Sequence, residues 1–219
     1  MTAPSSPQDR VVLAEYVASA ETEKQFPPPT LAEIAFLGRS NVGKSSLMNR
    51  LMERSGLVRT SNTPGCTRKV SWFRARAQDS AELFLVDLPG YGYARRSKAE
   101  RSEWSRLIED YLTTRPSLRV AAILLDVRRD PEEEERDLRE FLTTQSSASR
   151  PPLSLLFVAT KLDKIPKNAQ KPRLTALSEK LGQRVFGFSA ETGEGRVPLW
   201  RAIRTGAGVG PLPSPSSEA

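Results

Sequence analysis

The octapeptide Gly38-Arg39-Ser40-Asn41-Val42-Gly43-Lys44-Ser45 restricts what this chain can become more than any other stretch. It satisfies G-x-x-x-x-G-K-[ST], a loop that cradles phosphate when a buried strand runs into it and a helix leaves it. Both flanks are present. Leu31 to Leu37 is short, apolar and partly β-branched, and Ser46 to Met52 places apolar residues at helical spacing. Gly38 and Gly43 let the backbone turn tightly, so that successive N–H groups face an anion at a helix N-terminus. Arg39, Ser40, Asn41 and Val42 fill the loop between them. Lys44 adds a point charge for β- and γ-phosphates, and the Ser45 hydroxyl can ligate Mg2+. A chance match would need neither flank.

With 219 residues the chain suffices for one α/β domain with a sizeable core, and not for two. One cysteine excludes an internal disulfide and fits a reducing compartment. The absence of histidine excludes His triads, His metal sites and His general bases, so catalysis would rest on positioning and electrostatics. No basic-then-apolar leader and no apolar run of membrane-spanning length is present, which predicts a cytoplasmic, soluble chain. The formal net charge of +7 favours polyanionic partners such as nucleic acid, against ordinary surface solvation as the plainer account.

Strand and helix patterns alternate. Residues 1–10 are Pro/Ser-rich and expected to be disordered. Val11 to Ala20 carries a weak amphipathic pattern, and Pro27-Pro28-Pro29 forces an extended connection. The first helix should end near Arg54, before a Gly/Pro/Thr-rich loop from Arg59 to Arg68. Val70–Phe73 and Leu83–Val86 read as an antiparallel hairpin. Tyr91 to Lys98 is expected to be mobile. Ala99 to Thr114 presents Trp104, Leu107, Ile108, Tyr111 and Leu112 at helical spacing. Val120–Leu125 and Leu153–Val158 read as buried parallel strands. Between them Asp130-Pro131-Glu132-Glu133 opens a helix, with Asp130 as N-cap and acids matching the dipole, rather than a metal site. A helix over Ala169–Leu181, a strand over Arg184–Phe188 and a helix over Val197–Thr205 follow, before a loose tail at 206–219. The domain should thus span 11–205. The predicted fold is α/β: a doubly wound, mostly parallel sheet of about six strands with one antiparallel edge strand and helices on both faces.

Three weaker motifs fall on the predicted strand ends. Asp87-Leu88-Pro89-Gly90 fits D-x-x-G, whose carboxylate would hold Mg2+ through water and whose Gly90 N–H would meet the γ-phosphate. Thr160-Lys161-Leu162-Asp163 fits [NT]-K-x-D. One carboxylate there accepts from both N1–H and N2–H2 of guanine, whereas adenine offers neither donor. Lys161 would lay its stem along the base, and backbone N–H groups around Ser189-Ala190 would reach O6. Thr67 and Thr63 compete as the second hydroxyl on Mg2+. Lys44, Asp87, Gly90 and whichever of these two threonines serves would carry the catalytic electrostatics. Each motif alone reads as a strand-to-turn connection; in this order they predict a P-loop GTPase fold that binds guanine nucleotide.

Gly-Arg-Ser-Asn-Val-Gly-Lys-Ser-Ser at 38–46, Thr-Pro-Gly-x-Thr at 63–67, Asp-Leu-Pro-Gly-Tyr-Gly-Tyr-Ala at 87–94 and Thr-Lys-Leu-Asp-Lys at 160–164 resemble the EngB-type (YihA/YsxC-like) bacterial GTPases. The resemblance covers roughly residues 11–205. It implies GTP hydrolysis, a role in late assembly of the large ribosomal subunit and a link to division septum formation. It favours Thr67 over Thr63, giving Ser45 and Thr67 as Mg2+ ligands. By the same resemblance Gly65, Cys66, Thr67, Arg68 and Lys69, with Phe188, Ser189 and Ala190, line the nucleotide.

In Ras-like GTPases the residue after D-x-x-G is a glutamine that orients water. Here it is Tyr91, so intrinsic hydrolysis should be slow, with a partner or a monovalent cation completing the site. By analogy with related GTPases Asn41 is the candidate K+ residue, against a purely loop-shaping role. Arg95, Arg96, Lys98 and Arg101 form a basic segment expected to contact ribosomal RNA, against a merely solvated face. The chain is expected to be monomeric. Two readings follow, a GTPase released by hydrolysis from the assembling subunit, and a nucleotide-gated binding module with incidental hydrolysis. An ATP-dependent enzyme is disfavoured by Asp163.

Overall fold

The computed structural model describes residues 9–59, 69–90, 98–144 and 152–209, with side chains of 98–105 excepted. One mixed sheet contains β1 (Val11–Ala20), β2 (Glu33–Gly38), β3 (Val70–Ala77), β4 (Glu82–Asp87), β5 (Leu118–Asp126), β6 (Ser154–Thr160) and β7 (Val185–Gly187). The spatial order is β1-β3-β4-β2-β5-β6-β7. β4, β2, β5, β6 and β7 pair in parallel, while β3 is antiparallel to both β4 and β1. Helices α1 (Lys44–Leu51), α2 (Lys98–Thr114), α3 (Glu133–Thr144), α4 (Lys167–Leu181) and α5 (Arg196–Gly206) cover the faces.

The strand pleat divides the core in two. Ile34, Phe36, Val120, Ala122 and Leu124 pack with Leu47, Met48 and Leu51 of α1 and Leu199, Trp200 and Ile203 of α5. Their neighbours Ala35, Leu37, Ala121, Ile123 and Leu125 pack on the other face with Leu107, Tyr111, Leu142, Leu177 and Leu181 from α2, α3 and α4. Burial on both faces is why these strands read as continuous apolar runs. Trp72 is fully buried in the second cluster. Trp104 lies outside the described side chains.

The structure shows the expected α/β sheet and adds to the reading in three places. The antiparallel strand β3 is not an edge, because Val11–Ala20 adds a seventh strand outside it. That strand has register shifts at Val11/Leu13 and Tyr16/Ala18. Each shift resets the two-residue alternation, which explains the weak amphipathic pattern. Second, α3 begins at Glu133, and the Glu135 carboxylate accepts from the Glu132 N–H at 2.8 Å. Asp130 does not cap it; its carboxylate accepts from Arg173 and Lys180 of α4 at 2.8 and 2.6 Å. Third, ordered packing passes the 11–205 limits: Asp9 is 1% exposed and paired with Arg201, and Ala207 is 7% exposed.

At the N-terminal end of β2 a polar cluster closes the core. The Glu33 carboxylate, fully buried, accepts from Arg115 Nε at 2.9 Å, Ser117 Oγ at 2.8 Å and Tyr111 Oη at 2.8 Å. The Arg115 guanidinium also lies against the rings of Phe26 and Trp72. Both Glu33 oxygens and the Arg115 guanidinium thereby find partners, the condition for burying charge.

Candidate guanine-nucleotide site

The parallel strands end in one layer. Register pairs Phe36 with Asp87, Gly38 with Leu124, and Asp126 with Thr160. The three motifs that sequence placed on separate strand ends therefore meet at the C-terminal edge of the sheet, where open α/β sheets bind ligands.

The loop 38–45 keeps its tight geometry through two glycines. A Cβ on Gly38 would stand 2.8 Å from Val42 Cγ1, and Gly43 has φ +100° as the residue preceding α1. Asn41 also lies in the left-handed region, with φ 64°. Val42 is buried in the core, and its N–H donates to the Arg39 carbonyl at 3.1 Å, which closes the turn of the loop. Ser45 stands in the first turn of α1. Lys44 Nζ forms an ion pair with Asp87 Oδ1, both side chains being at most 10% exposed. The Asp-Leu-Pro-Gly turn packs directly on this loop: a Cβ on Gly90 would lie 3.1 Å from the Ser40 N and 3.3 Å from the Gly38 carbonyl oxygen. Leu88 is buried and donates its N–H to the Phe36 carbonyl at 3.3 Å, and Pro89 is buried beside it.

Thr160 Oγ1 donates to the Val42 carbonyl at 2.6 Å, fastening the Thr-Lys-Leu-Asp segment to the glycine loop. Lys161 is left-handed, with φ 59°, and its Nζ donates to the Asn41 carbonyl at 2.8 Å. Leu162 points into the core, and its N–H donates to the Phe188 carbonyl at 3.1 Å. Phe188 is itself buried. Asp163 is aimed by Ser189, whose hydroxyl donates to Oδ1 at 2.7 Å. That hydrogen bond, followed by the pairing with Lys164 and against partial burial, holds the Asp163 carboxyl below its ordinary value. Ser189 N–H is spent on the Glu194 carbonyl at 3.0 Å. Of the Ser189-Ala190 pair, Ala190 is thus the backbone donor left to face a ligand. These segments line a cleft of about 1020 Å3 that includes Gly43, Thr160, Lys161, Asp163, Phe188 and Ala190. The cleft holds the fixed Asp163 carboxylate, and the glycine loop with the buried Lys44 ammonium adjoins it through Gly43, an arrangement that suits a nucleotide with a base at one end and phosphates at the other.

Not every expected residue joins this cleft. Lys69 directly precedes β3 and pairs with Glu21 at 3.2 Å, with both side chains more than half exposed. Thr63, Gly65, Cys66, Thr67, Arg68, Tyr91, Arg95 and Arg96 lie outside the described residues, as do the side chains of Lys98 and Arg101 in the first turns of α2. Conversely, Asp126 went unnoticed in the sequence. It ends β5 in the same layer as Gly38, Asp87 and Thr160, and that strand-end position was the available signal. Arg39 likewise gains partners that sequence did not suggest, forming an ion pair with Glu132 and another with Glu134 at 3.5 Å.

A family model described as 50S ribosome-binding GTPase matches residues 33–161. This chain belongs to that family. A relative named "Probable GTP-binding protein EngB" from Geobacter metallireducens is 42% identical over 197 residues, covering 89% of this chain and 92% of the relative. A solved structure described as a probable GTP-binding protein EngB aligns with TM-score 0.62 and 24% identity, over 80% of this chain and 98% of that one. Era in complex with MgGDPNP and a segment of 16S ribosomal RNA aligns with TM-score 0.62 and 22% identity, over 84% and 58%. These two share the fold. The GTPase is therefore an EngB-type GTP-binding protein that takes GTP and GDP as ligands and hydrolyses GTP. Among the described residues no helix is long and apolar enough to cross a membrane.

Proposed function

We propose that this GTPase is a nucleotide-switched cytoplasmic factor for assembly of the large ribosomal subunit, and through that role is needed for normal division and septum formation. The observation that carries the switch is the contact of Gly90 with the Ser40 backbone, which ties the segment after Asp87 to the phosphate loop. A γ-phosphate arriving at that junction would reorder the residues that follow. The partner is supported by the family's ribosome-binding description, by the +7 net charge and by the basic run Arg95, Arg96, Lys98, Arg101. The functional domain is taken as residues 11–205, with short flanks packed on it and the chain monomeric.

In this reading the N–H groups of 39–45 and the Lys44 ammonium hold the β- and γ-phosphates. The Ser45 hydroxyl and the Asp87 carboxylate are hard oxygen donors at the loop, a set that fits Mg2+. Ser45 and Thr67 would ligate the ion, with Asp87 acting through water; when bound it neutralises phosphate charge. Lys44 must then exchange Asp87 for phosphate. Asp163 accepts from the guanine N1–H and N2–H2, Lys161 lies along the base, and Ala190 N–H meets O6. Residues 65–69 would line the nucleotide.

Tyr91 stands where a water-orienting glutamine would be, so turnover by the free protein is slow. Single-turnover hydrolysis with and without large subunits, in KCl and in NaCl at equal ionic strength, tests the reading. Acceleration by subunits supports the released-by-hydrolysis factor. A rate unchanged by subunits would favour a nucleotide-gated module with incidental hydrolysis, and equal rates in the two salts would remove K+ and the Asn41 cation role.

A further inference from the structure

Lys161 presents a problem of geometry that its own motif does not solve. A lysine in the left-handed region is strained backbone, which the surroundings must hold in place. Its ammonium is fixed at two points: it donates to the Asn41 carbonyl at 2.8 Å and stands 3.0 Å from Asp126 Oδ2. The second point lies on another strand, and the side chain that provides it is 8% exposed.

Asp126 is equipped for that task. Its Oδ1 accepts from Arg128 Nε at 2.9 Å and from the Arg128 N–H at 3.1 Å, which fixes the plane of the carboxylate. Its Oδ2 is then directed at both Arg128 Nη2, 2.7 Å away, and Lys161. Burial works to raise the Asp126 carboxyl, but the bonds from Arg128 and Lys161 outweigh it and keep the group an anion at neutral pH. The contact crosses from β5 to the turn after β6, and through Lys161 it reaches the glycine loop.

We infer that Asp126 is a positioning residue for nucleotide binding: it anchors Lys161 so that the lysine pins the Asn41 carbonyl and lies flat beneath the base. The inference rests on the proposed placement of Lys161 against guanine. Asp126 does not touch Asp163, so it sets affinity without setting the choice of base.

The test is a double-mutant cycle on GDP and IDP affinity, the inosine nucleotide lacking the 2-amino group that Asp163 reads. Asp126→Asn keeps the side chain's shape and removes its charge. The expected result is a Kd raised about tenfold for both nucleotides, with the GDP-to-IDP ratio unchanged. In a Lys161→Met background the same substitution should then cost less than about twofold, because its target is gone. Arg128→Ala, which removes two of the bonds that fix the Asp126 carboxylate but keeps its charge, should raise the GDP Kd by less than Asp126→Asn does, and should have no effect in the Lys161→Met background. An equal loss in both backgrounds, or a changed ratio of GDP to IDP, would overturn the inference and make Asp126 a general structural residue. If Asp126→Asn does not fold, Asp126→Glu, which keeps the charge and displaces it, runs through the same cycle with the same criteria. Failure of Lys161→Met to weaken GDP would instead refute the placement of Lys161, so the two claims fail separately.

Discussion

Asp163 is held by Ser189 in one orientation, and on the proposed reading that orientation presents two acceptor oxygens to guanine. Asp163→Asn replaces one acceptor by a donor. GTP affinity should fall by roughly 10³-fold or more, while xanthosine triphosphate, with a carbonyl at position 2, should gain. Competition binding with the two nucleotides measures this, and an unchanged preference for guanine would show that another group reads the base. Gly195 matters for a different reason. Its φ is +82°, and a Cβ there would lie 1.9 Å from the Gly187 carbonyl oxygen, in backbone that cannot move aside. Gly195→Ala should displace the loop carrying Ser189 and Ala190, weakening GDP binding before it unfolds the sheet. A parent-like GDP affinity in that variant, measured by fluorescence titration, would contradict the placement of the loop.

At the scale of elements, the sheet depends on how β2 is anchored. The Glu33 carboxylate has no water to fall back on and is shared by Arg115, Ser117 and Tyr111. Glu33→Ala leaves Arg115 as an uncompensated buried cation and should cost about 3–5 kcal/mol. Urea unfolding of the variant checks this; a loss under about 1 kcal/mol would mean that water replaces the carboxylate. Much of the architecture was legible because β2, β5 and β6 are buried on both faces, which leaves an uninterrupted apolar signature. β1 was not, since two register shifts break its alternation and its open side leaves Val12, Tyr16 and Val17 exposed. The same contrast runs through the site. Gly38, Gly43, Lys44, Thr160 and Asp163 were legible because fixed spacing within one segment identifies them. Asp126 and the Arg39 partners were not, because their meaning arises only when β5, α3 and the glycine loop come together. Nor could spacing show that Ser189 N–H is already used by Glu194.

Over the whole molecule, charge determines both stability and partners. The Asp79 carboxyl is lowered by its bond from Arg204, and that of Asp163 by its bond from Ser189. For Asp126 burial opposes the shift but loses to Arg128 and Lys161. In each case the folded value lies below the unfolded one. The stabilisation is therefore complete above the ordinary carboxylate value near 4 and is lost as pH falls through the folded values. With no histidine, no side chain of ordinary pKa titrates between about pH 5 and 8. Thermal melts should show a flat Tm across that range and a decline below about pH 4; a decline between pH 5 and 7 would contradict the assignment. The basic run after Asp87 belongs to this scale as well. Replacing Arg95 and Arg96 together by alanine should weaken ribosome binding and make its salt dependence shallower by about two units of slope, if both meet phosphate.

Co-sedimentation with purified large subunits, in GDP and in a non-hydrolysable GTP analogue across a salt series, tests the central claim most directly. The account predicts binding with the analogue, release with GDP, and an affinity that falls steeply as salt rises. Equal binding in both nucleotide states, or none in either, would leave a GTPase whose switch does not act on the ribosome.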